Sequence, residues 1–155
     1  MERIRISIPV AFLVENALTS GLDTENIIRE LEQGNYATIL KNAKDPEMDF
    51  ADRLQTAKDV GDDWARALRD GYEFKFLHIG GLKRLLSFRY HKEIDKDYVQ
   101  EELSLRHLHL NLEEIELLRS MISRQWYITE ETADATGKSN SLIEIRIDLR
   151  NQESI

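Results

Sequence analysis

The chain has 155 residues, of which 41% are hydrophobic and 32% charged, and its formal net charge is −8. This length and composition predict a single globular domain over residues 1–155 with an ordinary core. The absence of cysteine excludes disulfides and Cys-ligated metal sites, and the negative charge disfavours nucleic acid as a partner.

The longest apolar run, Ile8–Val14, is far shorter than the roughly 20 residues that span a bilayer. Residues 1–6 lack the basic-then-apolar pattern of a secretory signal. We therefore expect a cytoplasmic protein without membrane contact.

The first third of the chain predicts one strand and several short helices. Residues 3–8 alternate, with three isoleucines on one face, which is typical of a strand that ends at Pro9. A helix is expected to follow and to stop at Gly21. Asp23 is a plausible N-cap for the next helix and Gly34 a plausible end.

The middle of the chain predicts one long helix over residues 46–70. Asp45-Pro46 is a strong helix start, because Asp can cap the helix and Pro suits its first position. The apolar face then follows helical spacing: Phe50, Leu54, Ala57, Gly61, Trp64 and Leu68. Trp64 is accordingly expected to be mostly buried.

Strand and helix patterns alternate after this helix. Tyr72–Phe76 predicts a short strand, and the Gly80-Gly81 pair separates it from a helix that buries three leucines. A strand is expected over Leu103–Leu110, although its apolar alternation slips between Leu105 and Leu108. Asn111–Glu114 has the pattern of a helix-capping box.

The clearest β pattern is at the end of the chain. Trp126–Thr129 and Ile143–Leu149 flank a polar stretch that includes Lys138, which predicts a hairpin. Pairing its second strand with residues 3–8 would place opposite charges across from each other. The predicted fold is therefore α+β, with a small, mostly antiparallel sheet packed against several helices, including helix 46–70.

Residues 71–92 carry the most distinctive charge pattern, with five Lys/Arg against one Asp/Glu in an otherwise acidic chain. Such an island would attract an anion or an acidic partner surface. The free N–H groups of a helix that begins near Gly81 could add to it. The candidate binding residues are His78, Gly80, Gly81, Lys83, Arg84, Arg89 and Lys92. A simple turn followed by a solvated helix is the alternative interpretation.

His107 and His109 form half of a metal site if their segment is extended. Further ligands would have to come from elsewhere, such as His78, His91 or a carboxylate. Surface histidines explain the pair as well, so we expect neither a metal nor a cofactor.

Motifs of catalysis are missing from the sequence: it has no Gly-x-Ser-x-Gly, His-Glu-x-x-His or phosphate-binding glycine loop. The leading hypothesis is a small intracellular regulatory or accessory protein that acts by protein–protein contact without catalysis. A homodimer through the edge of residues 3–8 is a further expectation.

Two other functions remain open. A helix over residues 112–124 followed by a hairpin with Lys138 at its tip resembles the layout of a winged helix. It would bind nucleic acid through Lys83, Arg84, Arg89, Lys92 and Lys138. An enzyme of undefined class is the third hypothesis.

Overall fold

The computed structural model describes residues 3–131 and 141–150. Its residues group into two compact units, Met1–Phe76 and Leu77–Ile155, called here the N-terminal and C-terminal units. The α+β class is confirmed, with a parallel strand pair and a four-stranded antiparallel sheet among the described residues. A single domain over residues 1–155 stays a prediction.

The N-terminal unit is mainly helical. Its elements are β1 (Ile4–Ile6), α1 (Ile8–Leu18), α2 (Thr24–Gln33), α3 (Tyr36–Leu40), α4 (Phe50–Val60), α5 (Trp64–Asp70) and β2 (Tyr72–Phe74). Residues 10–17 of α1 are all buried, which makes α1 the central helix of this unit. The predicted cap of α2 is confirmed, because Asp23 accepts a hydrogen bond from Asn26 N–H and Gly34 ends the helix in left-handed backbone.

The predicted partner of the first strand was wrong. β1 pairs in parallel with β2, and Arg5 lies opposite Glu73. The Arg5 Nε is 2.6 Å from Glu73 Oε1, so β2 provides the charge complementarity that was expected from the C-terminal strand. Alternation in a strand specifies which face is buried but not which strand lies beside it.

The predicted helix 46–70 is also wrong, because Gly61 divides it. This glycine has a φ of 77° and ends α4, and Asp63 then caps α5 by accepting from Arg66 N–H. Left-handed backbone turns the chain out of the helix, so the apolar spacing does not continue on one face. Trp64 consequently opens α5 and is only half-buried.

The C-terminal unit contains the sheet. Its elements are α6 (Ile79–Tyr90), β3 (Val99–Glu101), β4 (Ser104–Leu110), α7 (Leu112–Ile122), β5 (Trp126–Glu130) and β6 (Ile143–Leu149). The strand order is β3-β4-β6-β5, and every pairing is antiparallel. The hairpin of β5 and β6 and the capping box of Asn111 and Glu114 are confirmed. Lys138 lies outside the described residues.

The core of this unit is apolar and anchored by one aromatic side chain. Trp126 is 2% exposed, and its Nε1 donates to the Leu77 carbonyl at 2.8 Å. The slip predicted in β4 is confirmed as a break in register between Leu105 and Leu108. It allows both leucines to face the core, where both are fully buried.

Candidate functional site

The start of α6 is fixed by His78. Its Nδ1 accepts a hydrogen bond from Gly81 N–H at 2.9 Å, so that amide is engaged rather than free for an anion. The helix begins at Ile79, before the expected position at Gly81. A Cβ at Gly81 would lie 2.7 Å from Leu77 Cδ1, so a larger residue at this position would require the Leu77 side chain to shift. Gly80 is exposed beside the His78 ring.

Lys83 and Arg84 follow on the outer side of α6. Leu82, Leu85 and Leu86 are fully buried, which leaves Arg84 exposed and Lys83 half-buried. Lys83 Nζ donates to Gln100 Oε1 on β3 at 2.8 Å. The Arg84 guanidinium carbon lies 5.5 Å from the centroid of the Phe88 ring, a distance typical of a cation–π contact.

Arg89 and Lys92 do not join this side of the helix. At about 100° per residue, Arg89 lies about 140° from Arg84, and its side of α6 is that of the buried Leu85 and Leu86. Lys92 follows the helix end, and its N–H donates to the Leu86 carbonyl at 3.0 Å. The structure therefore divides the seven candidate residues and does not gather them into one pocket.

The outer side of α6 carries the cationic side chains of Lys83 and Arg84. Residues 78–92 contain no Asp or Glu. Among the described residues, Lys83 forms no ion pair with a carboxylate. We call His78, Gly80, Lys83 and Arg84 the α6 basic face.

An acidic loop follows α6. Ser87 Oγ donates to Glu93 Oε2 at 2.6 Å, and Glu93 N–H donates to Asp97 Oδ2 at 2.7 Å. Tyr98 ends the loop and is 3% exposed. Burial, and then the charges of Glu93, Asp97 and Asp95, raise the pKa of Tyr98 to about 12. The loop thus creates a negative potential next to the positive helix.

The two histidines of β4 are exposed, as the surface interpretation expected, and His107 has left-handed backbone with a φ of 67°. His107 Nδ1 is 2.8 Å from Glu144 Oε2, and His109 Nε2 is 4.0 Å from Glu144 Oε1. Both histidines line an open cavity of about 330 Å³ together with residues 95–99. Within the described part of the chain, no group of three His, Asp or Glu is arranged to hold a metal ion.

Sequence reasoning missed the partners of these side chains. Gln100, which binds Lys83, and Glu144, which binds His107, come from other elements of the sheet. The carboxylates of Glu93, Asp95 and Asp97 alternate in the sequence, but their position beside β4 depends on tertiary packing.

Comparison of the chain with protein-family models, with curated proteins and with solved structures finds no match. In residues 3–131 and 141–150, no helix has the length and apolar character needed to cross a membrane.

Proposed function

We propose that this is a small cytoplasmic regulatory or accessory protein that acts by protein–protein contact, without catalysis. It binds an acidic surface of its partner through the α6 basic face. The observation that carries the proposal is a helix without a single carboxylate, exposed along one side, in a chain of net charge −8.

The helix is well suited to present fixed charges. Its inner leucines are fully buried and its first turn is capped by His78, so little conformational freedom remains to be lost on binding. Arg84 can form paired hydrogen bonds with a carboxylate. Opposite charge also increases the rate of encounter with an acidic partner.

Nucleic-acid binding is the alternative function. The negative charge of α7, the helix that would contact the bases in a winged helix, argues against it. Glu113 and Glu116 of α7 are exposed, and both would repel phosphates. Sequence-specific reading also requires a helix that approaches the bases, a role for which α7 has the wrong charge.

Affinity capture and gel shifts distinguish the two functions. The immobilised protein, at micromolar concentration in native lysate, is expected to retain a protein partner. Nuclease treatment of the lysate should leave this retention unchanged. Gel shifts with duplex DNA and with RNA are expected to show no complex at low salt. A shift that disappears steeply between low and physiological salt, without a retained protein, would replace this proposal with nucleic-acid binding.

A further inference from the structure

One edge of the C-terminal sheet is open along β5. Glu131 N–H donates to the Glu144 carbonyl and Arg150 N–H to the Gln125 carbonyl, so the odd-numbered residues of β5 bond to β6. The even-numbered residues, Trp126, Ile128 and Glu130, direct their backbone groups outward. Among the described residues, no strand pairs with this outer side.

The side chain of Arg119 covers the middle of this edge. Arg119 of α7 donates from Nη2 to the Ile128 carbonyl at 3.3 Å. The same guanidinium lies 2.8 Å from Glu116 Oε2 and 3.6 Å from Glu130 Oε2. The edge is therefore bordered by one cation that lies within ion-pair distance of two carboxylates.

The outward groups of β5 are symmetric about Ile128. If a second β5 approaches antiparallel, Ile128 meets Ile128, and Trp126 meets Glu130 at both ends. Tyr127, which is 42% exposed, would lie opposite Thr129 of the other copy. A pair of an aromatic and a β-branched side chain is favourable across strands.

The charges beside the edge are also self-complementary. A twofold axis at Ile128 would bring the two copies of α7 side by side on the same face of the joined sheet. Each helix carries one acidic residue, Glu116, and one basic residue, Arg119. Glu116 of each copy can therefore pair with Arg119 of the other copy. Arg119 would then leave the Ile128 carbonyl, which becomes free to accept from the second strand.

We propose that the protein forms a twofold dimer in which β5 pairs antiparallel with β5 of a second copy, with Glu116 and Arg119 paired across the axis. This interface differs from the edge of residues 3–8, where a homodimer was first expected, and it is independent of the α6 basic face. A five-residue strand with one flanking helix gives a small interface, so we expect a weak dimer.

Two charge variants test the pairing. Arg119→Glu leaves only acids on the α7 border, and Glu116→Arg leaves only bases. Each variant alone should dimerise roughly tenfold or more weakly than the wild type, because like charges meet. A mixture of the two should form a heterodimer, which native mass spectrometry identifies by its mass. Arg66→Glu, which breaks an exposed ion pair of the N-terminal unit, is the matched control and should dimerise like the wild type.

Sedimentation velocity from roughly 1 µM to 1 mM measures the wild-type dimer directly. A monomer over this whole range overturns the proposal. A dimer that persists unweakened in both variants also overturns the proposal. A mixture of the two variants that forms no heterodimer overturns it as well. If a variant unfolds on circular dichroism, Tyr127→Glu tests the same interface from the outer face and should weaken the dimer.

Discussion

The two units place left-handed backbone on different residue types. In the N-terminal unit, positive φ angles fall on glycines: Gly21, Gly34, Gly61 and Gly71. In the described part of the C-terminal unit they fall on residues with side chains: His91, Asp95, Glu102 and His107. A residue with a Cβ loses roughly 1–2 kcal/mol in this conformation, so the C-terminal unit retains strain that the N-terminal unit avoids.

Buried polar groups show the opposite distribution. Among the described residues, the buried residues with polar or charged side chains, tyrosine and tryptophan apart, are Glu15, Asn16, Ser20 and Asp62. All of them belong to the N-terminal unit, where Glu15 accepts from the Tyr72 hydroxyl at 2.6 Å. The N-terminal unit uses polar groups to hold its elements together. The C-terminal unit keeps an apolar core, and its four described residues with side chains and positive φ are all exposed.

The largest effect is expected from the buried tryptophan of the C-terminal unit. Trp126→Ala removes a side chain that is 2% exposed and leaves the Leu77 carbonyl without its donor, so it should lower the free energy of unfolding by about 3–5 kcal/mol. Trp64→Ala, in half-buried surroundings, should lower it by about 1–2 kcal/mol. Urea unfolding measures both, and equal losses would show that the two sites are packed alike.

The next effect belongs to the polar interior of the N-terminal unit. Asp62 accepts from Ser7 N–H at 2.9 Å and Ser7 Oγ at 2.8 Å, and its other oxygen is 2.7 Å from Lys75 Nζ. Asp62→Ala should lower the free energy of unfolding by about 2–3 kcal/mol, and Ser7→Ala by about 1 kcal/mol. If Asp62→Ala leaves the free energy of unfolding unchanged, these hydrogen bonds contribute no more than the bonds to water that they replace.

Two opposite glycine substitutions test the contrast in backbone strain. Gly61→Ala should destabilise the protein by about 1 kcal/mol, because alanine must adopt a φ of 77°. Glu102→Gly should stabilise it by about 0.5 kcal/mol, since relief of strain exceeds the entropy that glycine loses on folding. Thermal melts measure both, and a Glu102→Gly protein that melts earlier than wild type contradicts the assigned strain.

The last effect is confined to alkaline pH. Because the pKa of Tyr98 is raised from 10.0 to about 12, its neutral form is favoured by folding. That stability is complete below pH 10 and disappears as the pH rises through about 12. As the pH rises from 10 to about 12, the Tyr98→Phe protein should therefore lose less stability than the wild type. Tyrosinate absorbance of the wild type and of Tyr98→Phe provides the check: if Tyr98 ionises at the ordinary pKa of 10.0, its surroundings are not as described.

The sequence was most informative where local chemistry decides the structure. The capping box at Asn111 and the slip in β4 depend on neighbours within a few residues, and both are confirmed. The helix break at Gly61 is also determined by local residues. The apolar spacing nevertheless continued through Gly61 and predicted an uninterrupted helix. Glycine at that position costs little in an end-capping turn and more in a helix interior.

Long-range placement was beyond the sequence pattern. Nothing in the alternation of β1 distinguishes β2 from β6 as its neighbour, because both offer acidic residues to Arg5. The candidate site shows the same limit. The seven residues lie in one charged segment of the sequence. Helical geometry nevertheless separates Arg89 from Arg84, and Lys83 donates to Gln100 on β3.

The most direct test of the account reverses matched charges in the two units. Lys83→Glu with Arg84→Glu changes the α6 basic face, and Lys41→Glu with Lys44→Glu makes the same charge change in the N-terminal unit. Both variants should stay folded, because most surface changes shift stability by only about 0.5 kcal/mol. Quantitative mass spectrometry of captured proteins should show that the first variant loses the wild-type partner and the second keeps it. Equal retention by the two variants, or equal loss, would contradict the proposed role of the α6 basic face.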